Sequence, residues 1–210
     1  MIKLETRRFF AAASVILRYP ERELVDSLMG ISLNIKSFDS GAGEVLNKLI
    51  SHFNSNSLLD LQMDYVKTFD RKNRTSLYLS YYLNGDTRRR GMALLEFKGR
   101  YATEGWKVAS NELDDFLPIL LEFIAVTSSP LGLELLSAHK AGVSLLHFAL
   151  KDNNSPYACL IQEILVRIPG DDRKLTLNLI ESGPPVEMVG VSELASSTLP
   201  YSPVGVQCQS

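Results

Sequence analysis

A chain of 210 residues, 45% hydrophobic and 22% charged, has room for one well-buried domain and too little for two, and its composition is neither disordered nor fibrous. A formal charge of -2 removes any global electrostatic drive toward nucleic acid and leaves at most a local basic patch. The two cysteines, Cys159 and Cys208, form no C-x-x-C pair, so zinc and thioredoxin-like chemistry are not indicated and a reducing, cytoplasmic compartment is expected.

Thr6-Arg7-Arg8-Phe9-Phe10 before an alanine-rich run imitates a twin-arginine export signal. However, Arg18 interrupts the run, and no small-x-small cleavage site follows it. Phe9, Ala12, Ala13, Ile16 and Leu17 form the stripe of an amphipathic core helix, predicted from Leu4 to Tyr19, where Pro20 disfavours continuation. A short helix over Glu21 to Met29 ends at Gly30, and Ile31 to Gly43 reads as a loop. Leu46, Leu49, Ile50 and Phe53 give the next helical stripe. Ser57, with Asp60 three residues on, is an N-cap for a helix reaching about Asp70, on whose apolar face Tyr65 and Phe69 sit with leucines. No stretch approaches the roughly 18 apolar residues of a membrane span.

Ser76 to Leu83 has no decisive period, and its helical neighbours favour helix. Asn84-Gly85 is a turn. Asp86 caps a helix with Leu94, Phe97 and Tyr101 on one face, running to Glu104 and ended by Gly105. Asp114 or Asp115 caps the next helix, which carries Pro118 in its first turn. Leu131 to Leu150 is a strongly apolar helical pattern, and Ser155-Pro156 opens another helix. Leu175, Leu177 and Leu179 alternate like a strand, yet with no partner strand a short helix is more economical. Residues 1–182 are therefore read as one all-α domain. Residues 183–210 hold four prolines, three glycines and five serines without a lysine or arginine, and are read as a poorly structured tail, draped on the domain or disordered.

No catalytic constellation is visible. His52, His139 and His147 have no spacing that grips one ion, and no nucleophile motif, P-loop or dinucleotide fingerprint occurs. Arg88-Arg89-Arg90 places three cations against the positive end of a helix dipole, so they need partners. Asp70, Asp86, Glu112, Asp114 and Asp115 are available inside the chain, with one of the acids from Glu112 to Asp115 preferred; the alternative is a bound anion or the acids of a partner. Tyr78, Tyr81 and Tyr82 cannot all face inward on one helix, so at least one should reach a groove, where tyrosine suits partner recognition.

Tyr65-Val66-Lys67-Thr68-Phe69-Asp70, Ser76-Leu77-Tyr78-Leu79, Gly85-Asp86-Thr87-Arg88-Arg89-Arg90-Gly91-Met92-Ala93-Leu94 and Glu112-Leu113-Asp114-Asp115-Phe116-Leu117-Pro118 resemble the NarJ-type nitrate reductase assembly chaperones, the delta subunits. Leu17-Arg18-Tyr19-Pro20 and Gly183-Pro184-Pro185-Val186-Glu187-Met188-Val189-Gly190 extend the likeness over about residues 10 to 190. Asp114 departs from it, since the family usually has proline there; either residue can start a helix.

The resemblance implies a TorD-like helical bundle and a cytoplasmic chaperone with no metal or cofactor of its own. Its expected partner is the apo catalytic alpha subunit of respiratory nitrate reductase, alone or with the beta subunit, engaged chiefly at a signal-like N-terminal segment. The chaperone would support molybdenum cofactor insertion into that client before membrane attachment, as a monomer or weak homodimer that neither inserts into the membrane nor binds nucleic acid. The candidate contacts are Tyr65, Phe69, Leu77, Tyr78 and Tyr82 for an apolar groove, Glu112, Asp114 and Asp115 for basic client residues, and Arg88 and Arg90. Competing readings are a chaperone for a related dimethyl sulfoxide reductase-class molybdoenzyme, and a nucleotide- or anion-binding protein using Arg88, Arg89 and Arg90.

Overall fold

The computed structural model describes residues 2–71, 73–109, 111–127, 129–183 and 185, with the backbone alone for Val25, Asp26 and Asn73. Eleven α-helices occur among the described residues. The expectations for the tail beyond Pro185 lie outside them.

The centre is α7 (Leu117–Thr127), apolar almost all round, with Leu117, Leu120, Leu121, Phe123 and Ile124 fully buried. A helix of that composition needs cover on every side. Along one side runs α1 (Leu4–Ile16), burying Phe9, Phe10, Ala12, Ala13 and Ile16 as its stripe predicts. One arginine of the export-signal imitation, Arg7, acts structurally here. Arg7 donates from Nε to the Ala125 carbonyl at 2.9 Å and from Nη2 to the Val126 carbonyl at 3.1 Å, filling acceptors left open at the end of α7. Arg18, just past α1, pairs with Glu122 on α7.

Helix α2 (Arg22–Leu33) runs through Gly30 instead of stopping there, and Asn34 closes it with a side-chain bond to the Gly30 carbonyl at 2.9 Å. After a 3-10 turn at Ile35–Ser37, α3 (Ser40–Ser55) begins where a loop was expected. The missed signal is Asp39, whose carboxylate accepts from the Ala42 N–H at 2.8 Å. That bond, with the Arg167 ion pair, holds its pKa below the ordinary carboxylate value against the cost of burial. A good cap outweighs the weak helix propensity of Gly41 and Gly43.

Helix α4 (Leu58–Tyr65) starts at the expected Ser57 cap and passes into a π-helical turn over Val66–Asp70. Beyond a 3-10 turn at Asn73–Thr75, the predicted helix from Ser76 is only partly realised. Tyr78 is extended and forms an isolated antiparallel bridge with Phe116, through Leu79 N–H to the Asp115 carbonyl (3.0 Å) and Leu117 N–H to the Leu77 carbonyl (2.8 Å). Helix α5 (Leu79–Asn84) follows, then α6 (Arg88–Thr103), capped by Thr87 in place of the expected Asp86.

The apolar run from Leu131 to Leu150 is two helices, α8 (Pro130–Ala138) and α9 (Lys140–Asp152). The chain bends at His139, whose buried ring lies 4.9 Å from that of Phe97, with Nδ1 3.0 Å from the Leu135 carbonyl. Burial holds its pKa below the usual histidine value. Helix α10 (Ala158–Arg167) begins after a turn at Ser155-Pro156, and α11 (Arg173–Ser182) settles the alternating leucines as helix. No helix among the described residues is long and apolar enough to cross a membrane.

Close packing between α7 and α8 gives a direct test. A Cβ at Gly132 would stand 2.6 Å from Cγ1 of Ile124 and 2.8 Å from Cδ1 of Phe123, both fully buried. Gly132→Ala should lower the unfolding free energy by about 1–3 kcal/mol, the usual cost of overpacking. Urea midpoints read it, and a variant as stable as wild type would show that these side chains yield freely.

Candidate partner-binding groove

A groove of about 530 Å³ opens where the end of α1, the start of α2, the π turn and the Tyr78–Phe116 bridge meet. Its floor is Tyr65, Phe69, Leu77, Phe116 and Ile119, with Tyr78 on one wall. Its rim carries Glu21, Glu23, Asp70 and Glu112, together with Arg18, which Glu122 already binds. The volume lies within the ~300–1,000 Å³ typical of ligand pockets. An apolar floor under an acidic rim suits a segment offering apolar and basic side chains together.

Local chain geometry explains why these residues meet. The Ser57 cap sets the phase of α4, and the wider π turn carries Phe69 and Asp70 to the groove edge; such turns are frequent at functional positions. Tyr65 is fixed by its hydroxyl donating to the Leu17 carbonyl at 3.0 Å, and its ring lies 4.8 Å from that of Phe69. Burial pushes its pKa far above the usual tyrosine value, so it remains a donor.

Tyr78 is held from three directions. Its hydroxyl donates to Glu112 Oε2 at 2.7 Å, its ring lies 5.2 Å from that of Phe116, and the Arg90 guanidinium carbon is 5.9 Å from its ring centroid. Burial, then its bond to Glu112, raises its pKa. Asp70 is raised by burial and then by the Glu112 charge. That coupling is expected when two carboxylates share one rim.

Five candidates from the sequence therefore come together: Tyr65, Phe69, Leu77, Tyr78 and Glu112. The rest do not line the groove. Tyr82, expected beside Tyr78, is buried behind its wall; its hydroxyl donates to the carbonyls of Ser76 (2.8 Å) and Arg74 (3.2 Å). One tyrosine in the groove satisfies the argument that not all three can face inward. Asp115, expected to attract a basic client, is fully buried, and its Oδ2 accepts from the N–H (3.1 Å) and hydroxyl (2.6 Å) of Ser80. It caps α5, not the helix that follows it in sequence. Asp114 is half-buried outside the groove; its backbone carbonyl accepts from Tyr101, and burial raises its carboxyl pKa.

Arg90 pairs with Asp86 at 2.8 Å, the i,i+4 option among the partners weighed, and lies over Tyr78, whereas Arg88 and Arg89 are exposed. Successive helical side chains diverge by about 100°. The triplet thus does not converge on one anion. Sequence reasoning passed over Glu21, Glu23, Asp70 and Ile119 as groove residues. The Leu17-Arg18-Tyr19-Pro20 corner was the available pointer to the first two. Among the described residues no cluster of three histidine, cysteine or acidic side chains is arranged to hold a metal ion.

The nitrate reductase delta subunit family model matches residues 35–161. The nitrate reductase-like protein NarX of Mycobacterium tuberculosis is 34% identical over 146 residues, 70% of this chain but 22% of that protein; the chain thus spans about a fifth of that relative. The probable nitrate reductase molybdenum cofactor assembly chaperone NarJ of Bacillus subtilis is 30% identical over 162 residues, covering 76% of this chain and 87% of the relative. NarJ of Escherichia coli K12, a nitrate reductase molybdenum cofactor assembly chaperone, is 30% identical over 158 residues, 72% and 66% of the two chains. Among solved structures, one from Archaeoglobus fulgidus described as a redox enzyme maturation protein aligns with a TM-score of 0.57 at 22% identity, over 76% of this chain and 91% of that one. This likeness supports the all-helical fold.

Proposed function

Since the chain belongs to the nitrate reductase delta subunit family, we propose that it is an assembly chaperone, not a catalyst, for a respiratory nitrate reductase, and that its groove holds a segment of the catalytic subunit. The observation that carries the groove assignment is the apolar floor of Tyr65, Phe69, Leu77 and Phe116 beneath the acidic rim of Asp70 and Glu112. A signal-like N-terminal segment, with basic residues beside an apolar run, has the complementary chemistry. Held there in the cytoplasm, it would be kept from the membrane anchor while the client acquires its molybdenum cofactor.

Energetics favour a transient complex. Burying two or three client side chains contributes about 1.5–3 kcal/mol each, and ordering and association costs offset much of it. Release is part of the task, so modest affinity is appropriate. The large protein co-purifying with the chain from its own cells identifies the client. Calorimetry with that client's N-terminal peptide should then show binding that Tyr78→Ala weakens about tenfold or more, as loss of a central aromatic anchor does. Equal affinity in the variant would sink the groove assignment.

A further inference from the structure

Among the described residues that line the groove, Arg18 is the one cation, set against Glu21, Glu23, Asp70 and Glu112. It follows α1 at the corner before Pro20, and its guanidinium reaches Glu122, one helical turn beyond Ile119 of the floor. That bond, from Nη2 to Glu122 Oε2, is the one side-chain hydrogen bond it makes among the described residues. Arginine carries five donors in a planar fork. Most of the fork is therefore left for solvent or for a bound segment.

The side chains of Arg18 and Glu122 are 46% and 41% exposed. An ion pair that wet is weak, because water screens it and two long side chains lose freedom in making it. Exchange of Glu122 for another carboxylate is therefore easy. A segment lying in the groove shifts the balance further. By covering Arg18 it strips water from the unused donors, and buried donors without partners are costly. An apolar side chain there leaves them empty, and a lysine or arginine adds like-charge repulsion. A carboxylate fills two of them in the bidentate geometry that suits arginine.

We infer that Arg18 receives an aspartate or glutamate side chain of the client segment, exchanging Glu122 for it as the segment enters. This rests on the groove holding that segment. The groove then reads both signs. Glu112 is tied to Tyr78, whose ring lies against Phe116, whereas Glu122 stands about 9 Å further along the α7 axis than Phe116. Basic client side chains go to the first place and an acid to the second, which fixes the direction in which the segment runs.

Calorimetry on the full chain tests it with two probes, both amidated at the C-terminus. One is the N-terminal peptide of the catalytic subunit that co-purifies with the chain; the other has every aspartate and glutamate of that peptide replaced by asparagine or glutamine. Arg18→Gln should weaken the native peptide about five- to tenfold, between the effects of an exposed and a buried pair. Glu122→Gln should tighten it about threefold, by removing the competitor. The amide peptide should lose both responses, as a coupled pair requires. A pair that only braces the corner is broken by either substitution, so both would shift affinity the same way. Overall charge alone makes a basic peptide prefer the more negative chain, so Arg18→Gln would tighten and Glu122→Gln weaken. Either pattern overturns the inference, as does a client segment with no acidic side chain. Urea midpoints near wild type, expected for surface substitutions, check that the variants are folded. Weakening by Tyr78→Ala without the opposed responses at Arg18 and Glu122 overturns this inference and leaves the groove assignment standing. No effect from any of the three overturns both.

Discussion

Asp115→Ala is expected to lower the unfolding free energy by about 3 kcal/mol, with Asp115→Asn costing about 1 kcal/mol. Asp115 is fully buried and serves as acceptor for both the N–H and the hydroxyl of Ser80, itself fully buried. Ser80 is the second residue of α5, so its N–H has no partner within that helix. Alanine strands two buried donors at about 1–3 kcal/mol each. It also removes a charge whose burial was costly, which returns part of the loss. Stranded donors win, because nothing else in the fully buried surroundings of Ser80 replaces the carboxylate and the deleted atoms leave a gap. Asparagine keeps one acceptor oxygen and most of the volume, hence the smaller effect. Urea denaturation of the three proteins measures the order wild type, Asn, Ala. An alanine variant within 0.5 kcal/mol of wild type, the ordinary scatter of surface substitutions, would mean that the Asp115–Ser80 cap contributes nothing net.

Local signals were legible in the sequence wherever one side chain decides them. The Ser57 cap, the turns at Gly85 and Gly105, and the α1 stripe with Phe9 and Ile16 stand where their chemistry places them. What escaped depends on contacts far along the chain. Asp115 appeared to cap its own following helix, but the antiparallel bridge between Tyr78 and Phe116 carries its carboxylate to α5. Tyr82 seemed as available as Tyr78. The Ser76 and Arg74 carbonyls draw its hydroxyl inward, and α9 covers its ring through Gly142, where a Cβ would lie 3.0 Å from Tyr82 Cβ. Likewise, the apolar continuity from Leu131 to Leu150 hid the bend at His139, which exists because its ring packs on Phe97 of α6. The groove was half legible. Motif density marked the wall from Tyr65 to Glu112, while the opposite wall at Glu21 and Glu23 follows only once α1 and α2 fold back beside it.

Neutralising the rim with Asp70→Asn/Glu112→Gln is expected to slow association of a basic client peptide by about 10- to 100-fold at low salt, with most of the difference gone at about 1 M salt. Rim carboxylates act mainly by steering encounter, an effect that falls with ionic strength. Tyr78 and Leu77, beneath the rim, act after encounter, so Tyr78→Ala should raise the dissociation rate instead. Both rim replacements are nearly isosteric. The amide that replaces the Glu112 carboxylate keeps an oxygen to accept from the Tyr78 hydroxyl, which stands 2.7 Å from the native Oε2, so the groove wall is preserved. Removing the Glu112 charge also relieves the repulsion that helps raise Asp70, which makes Glu112→Gln alone milder than the pair. Stopped-flow binding at two salt concentrations separates the terms. If the double variant associates as fast as wild type at low salt, Asp70 and Glu112 do not recognise the client, and its basic residues must be received at Glu21 and Glu23 or elsewhere on the chain.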